Sequence, residues 1–64
     1  MAVPDLAQLS VLGSQIEELA QRSGAMVEQL DGPDTAEVAT ALFEAERSLA
    51  MAARAVERAR RTAG

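Results

Sequence analysis

The chain has 64 residues, ten acids against six bases for a net charge of -4, one aromatic residue, Phe43, and neither cysteine nor histidine. Disulfide staples, zinc ribbons and haem ligation are excluded, and a single domain over 1–64 of this size buries only about 60% of its unfolded surface, so a second subunit is expected to complete the core. The longest uncharged stretch, Leu6 to Ile16, has 11 residues against the ~20 of a membrane span, and with no basic leader or lipidation box a cytoplasmic location away from membranes is expected.

Helix 1 is expected over about 4–30. Pro4 suits the first helical position, where its missing N–H costs nothing, and Asp5 sets a negative charge at the positive end of the helix dipole. Leu9, Leu12, Ile16, Leu19, Ser23, Met26 and Leu30 recur at alternating steps of three and four, which places them on one stripe. Leu6, Gly13, Ala20 and Val27, each seven apart, widen that stripe to the face of a bundle helix. Ser23-Gly24 is its weakest point, where a break would be a kink and not a domain boundary, and Ser23 is expected to bond back to its own helix.

The turn falls at 31–34, Asp31-Gly32-Pro33-Asp34: Gly32 suits the left-handed conformation that ends a helix, and Pro33 cannot continue one. Asp34 and Glu37 have the spacing of a capping box. Helix 2 is then expected over about 35–62. A link this short sets the helices antiparallel, with positions summing to about 65 face to face: Leu9 by Val56, Gly13 by Ala52, Ile16 by Leu49.

Along helix 2, Val38, Leu42, Ala45, Leu49, Ala52, Val56, Ala59 and Ala63 repeat the period. A second stripe, Ala39, Phe43, Ala50 and Ala53 with Met51 at its edge, is rotated from the first. One seam cannot cover both. The expected fold is all-α, an antiparallel two-helix hairpin dimerising into a four-helix bundle. Leu12, Ile16, Leu19, Leu42, Leu49 and Val56 would carry it, with Met26 in the core.

Chemistry is sparse. Residues 1–46 hold nine acids and one base, and residues 47–64 hold five arginines and one acid. Arg54, Arg58 and Arg61 share one side of helix 2, with Arg47 a heptad above Arg54, and arginine's planar fork suits phosphate or an acidic partner. Glu57 is placed to pair with Arg54, Arg60 or Arg61, and basic last turns complement a helix dipole. No aromatic residues interleave with the arginines to stack bases. Glu17, Glu18, Glu44 and Glu46 lie at mid-height, but a di-iron bundle needs Glu-x-x-His and no histidine is present, so no metal is expected. Glu46 is expected to contact Arg22 or Gln21.

Seven hydroxyls stand without a histidine or lysine base, and the glycines are isolated, so neither catalysis nor a cofactor is expected. The expected function is a non-catalytic protein–protein interaction module, a small adaptor or regulatory subunit. Phe43, Ala50 and Met51 would carry self-association or docking of a larger protein. Two alternatives stand behind it: a nucleic-acid-binding hairpin dimer using the arginine end of helix 2, and a small subunit that folds with its heteromeric partner.

Overall fold

The computed structural model describes residues 5–63, which form two helices joined by a short link. Helix α1 spans Leu6–Gln29, a 3₁₀ turn covers Pro33–Thr35, and helix α2 spans Ala36–Ala63. The helices pack against each other along their length in a rod of 49 × 17 × 13 Å, with no strand among the described residues.

Asp5 caps α1. Its carboxylate accepts from the Gln8 N–H at 2.8 Å, and its own N–H donates to Gln8 Oε1 at 3.1 Å. This reciprocal box satisfies two donors that the first turn leaves free. The expected helix start at Pro4 lies outside the described residues. At the other end α1 stops where Leu30 turns extended (φ -80, ψ 134), its N–H bonded to the Val27 carbonyl. Gly32 does not form the helix-ending turn expected of it. Its positive φ of 94 lies two residues further on, where it redirects the chain into the 3₁₀ turn, with Pro33 next. The Asp34–Glu37 box does not form either, because Asp34 is taken into the 3₁₀ turn; there the Thr35 hydroxyl donates to the Gly32 carbonyl at 2.8 Å.

The register differs from the expected sum of 65 by about one helical turn. A Cβ built on Gly13 would lie 3.5 Å from Val56 Cγ1, and the Glu46 carboxylate lies against Gly24, so facing positions sum to 69 or 70. The link is the cause: its 3₁₀ turn and the first turn of α2 carry the chain across before side-by-side packing begins.

The seam is also rotated. Half-buried positions are Leu9, Gly13, Ile16, Ala20, Ser23, Gly24 and Val27 on α1, Leu30 just past its end, and Ala39, Leu42, Glu46, Leu49, Ala50, Ala52, Ala53, Val56 and Arg60 on α2. Ile16, Leu42, Leu49 and Val56 occupy the interior expected of them. Leu12, Leu19 and Met26 do not: they are 44%, 45% and 51% exposed. Glycine and alanine columns let two helix backbones approach closely, and larger side chains there would hold them apart. α1 therefore turns its small-residue column, Gly13 and Ala20, inward and leaves its large one outside. α1 runs unbroken through Ser23-Gly24, with the Ser23 hydroxyl donating to the Leu19 carbonyl at 2.9 Å.

Candidate interaction surfaces

The rotated seam gives the hairpin two unlike faces. On one, Ser10, Gly13, Glu17, Gln21, Gly24 and Glu28 of α1 adjoin Phe43, Glu46, Ala50, Arg54 and Glu57 of α2 across shallow, open grooves. This face is polar. On the other, Leu12, Leu19 and Met26, on the opposite flank of α1, adjoin the opposite flank of α2, Val38, Ala45, Ala52 and Ala59, by the 3.6-residue period of the helix. This face carries half-exposed large apolar side chains, Val38 with the three of α1, bordered by Gln8, Gln15 and Arg22.

Of the three residues expected to form one docking spot, Phe43 and Ala50 share a column of α2 and Met51 stands apart from it. Phe43 is 54% exposed, rimmed by Gln21, Glu28 and Glu46. Ala50, a heptad along, is half-buried in the neighbouring groove beside Ala20, Gln21 and Arg54. Met51 follows Ala50 by a single residue, which rotates it away from that column. It is 65% exposed on the outer stripe of α2 with Glu44 and Arg58, each seven residues from it.

Arg54, Arg58 and Arg61 are all exposed on α2. Arg54 stands beside Glu17 and Glu57 in the groove. Glu57 takes Arg60 as its partner: the guanidinium donates to both carboxylate oxygens, from Nε at 3.0 Å, and this is the only ion pair among the described residues. That hydrogen bond, followed by the charges of Arg60 and Arg61, holds the Glu57 carboxyl below its ordinary value and raises Arg60 in turn. Glu46 lies half-buried by Gly24 with Gln21 in the same groove, but Arg22 lies on the other flank of α1 and forms no ion pair with it. Among the described residues no three acidic side chains converge as a cation site.

Sequence reading missed the apolar face. Its signal was present in the large column Leu12, Leu19 and Met26, which was assigned to the interior. No described helix is long and apolar enough to cross a membrane. The chain matches no known protein family, no curated protein and no solved structure.

Proposed function

We propose that this hairpin is a non-catalytic interaction module: it pairs with a second copy as a four-helix bundle and offers an outer surface to a larger protein, as a small adaptor or regulatory subunit. One observation carries the reading. No described residue of the hairpin is buried, while Leu12, Leu19, Met26 and Val38 stand about half exposed on one side of it. Large apolar side chains gathered on one side in this way mark an association surface. The chain has no histidine, cysteine or lysine, so the usual nucleophile and base pairs have nothing to act with.

Size-exclusion chromatography with light scattering and a full ultraviolet spectrum tests this. A dimer with no excess absorbance at 260 nm is the expected result. A helical monomer that melts cooperatively at micromolar concentration overturns it.

The same observation favours a second reading, a subunit whose face is covered by a different chain. Its mark is an unfolded or concentration-dependent species that becomes helical only with that chain. Nucleic-acid binding by Arg54, Arg58 and Arg61 stands behind both, since Arg54 lies among Glu17 and Glu57 and the net charge is negative. Co-purifying absorbance at 260 nm that disappears when the three arginines become glutamate would reverse that order.

A further inference from the structure

We infer that the apolar face of Leu12, Leu19, Met26, Ala45, Ala52 and Ala59 is the dimer interface and that the second copy lies on it end over end, turn against open end. This rests on the dimer proposed above and adds its face and its direction.

Size comes first. A face of 49 × 17 Å has a footprint of about 800 Å², the area each partner contributes to a standard stable interface. Symmetry comes next. Leu12 and Met26 lie seven residues either side of Leu19, and Ala45 and Ala59 seven either side of Ala52. The register set by Gly13–Val56 and Gly24–Glu46 brings Leu19 and Ala52 to within about 3 Å of the same height at 1.5 Å per residue. A rotation about that height sets Leu19 on the partner's Leu19 and Leu12 on the partner's Met26, so that each contact is returned by its mate, as in any two-fold interface. α1 then lies on the partner's α1, and the alanine columns let the two α2 helices approach closely.

A rotation about the long axis would also cover the face, and charge decides between the two. Residues 18–51, the half towards the turn, hold seven acids and two bases, a charge of -5. Residues 5–17 with 52–63, the open half, hold three acids and four bases, a charge of +1. A parallel pair sets -5 beside -5. The end-over-end pair sets each acidic half beside a basic one, and like charges held together oppose association. The two arginine ends then sit at opposite ends of the bundle, and Phe43 stays outside the interface on the polar face.

The chain has no cysteine, so single cysteines at the exposed positions Gln29, Arg47 and Thr62 each accept one spin label for pulsed dipolar spectroscopy of the full chain. In the end-over-end dimer, two copies of Gln29, or of Thr62, stand roughly 30 Å apart along the axis, and two copies of Arg47 roughly 15 Å. Similar separations at all three sites mean a parallel pair, which overturns the direction and leaves the dimer standing. No intermolecular coupling at any site means a monomer and overturns the parent reading as well. The face is tested separately by light scattering. Leu19→Asp is expected to weaken the dimer at least tenfold while Phe43→Asp leaves it intact, and the reverse pattern overturns the assignment.

Discussion

The carboxylate of Glu46 lies against the backbone of α1 at Gly24, so close that a Cβ on Gly24 would stand 3.2 Å from Glu46 Cδ. Replacing Gly24 by alanine therefore has two opposed effects. It removes the roughly 1 kcal/mol that glycine costs inside a helix, and it forces the end of a flexible side chain to move. At Gly13 the second effect is absent, because a Cβ there meets Val56 Cγ1 at an ordinary 3.5 Å. Gly13→Ala is expected to stabilise the chain by about 1 kcal/mol, raising Tm by about 4–8 °C for a domain of this size. Gly24→Ala is expected to gain less. Thermal melts followed by circular dichroism rank the two, and an equal gain would show that Glu46 is not held there.

The Asp5–Gln8 box makes a separate prediction. Asp5→Ala removes the carboxylate that accepts from the Gln8 N–H, leaving only the backbone N–H of residue 5 donating to Gln8, and is expected to cost about 1 kcal/mol. Asp34→Ala, in the 3₁₀ turn with no capping bond to lose, is expected to cost much less. Urea titrations of the two variants at equal protein concentration provide the comparison.

Acid should weaken one contact selectively. Glu57 titrates below the ordinary 4.5 because the Arg60 guanidinium donates to its charged form. Its contribution is therefore fully present above 4.5 and fades as pH falls through the lowered folded-state midpoint. In Arg60→Gln the Glu57 midpoint is expected to rise, read by carboxyl carbon resonances in an NMR titration. An unchanged midpoint would show that the pair does not persist in solution.

Leu49 and Met51 test which side of α2 packs. Leu49 lies half-buried in the seam and Met51 is 65% exposed. Leu49→Ala is expected to cost about 2 kcal/mol, the low end for such truncations because the site is only half covered. Met51→Ala should stay within ~0.5 kcal/mol. Denaturant midpoints of the two variants measure the difference.

The hairpin was legible because Gly32-Pro33 interrupts two long runs of the same period, and few local conformations reconcile those facts. Which column faces inward was not. Leu12, Leu19 and Met26 lie beside Gly13, Ala20 and Val27 on the helix surface, and hydrophobicity alone favours the larger set. The hairpin takes the smaller set because closeness of approach, a property of two helices together, decides. The register was hidden for a similar reason: the link was counted in residues, but the 3₁₀ turn spends one helical turn on the crossing. At the candidate sites, the exposure of Phe43 and of the arginines followed from their spacing. The separation of Met51 from Ala50 and Phe43 followed from it too, had each position been taken by angle instead of by nearness in the chain.

The half-covered seam ties the chain's lifetime to its abundance. With no side chain fully hidden among the described residues, what resists unfolding grows with the concentration of whatever covers the apolar face, by RT ln(1 + [L]/Kd). Each hundredfold excess over Kd adds about 2.7 kcal/mol. In the proposed dimer, copies too dilute to pair open to proteases more readily than paired ones, so the chain would be expected to persist where it is made in excess of its dissociation constant.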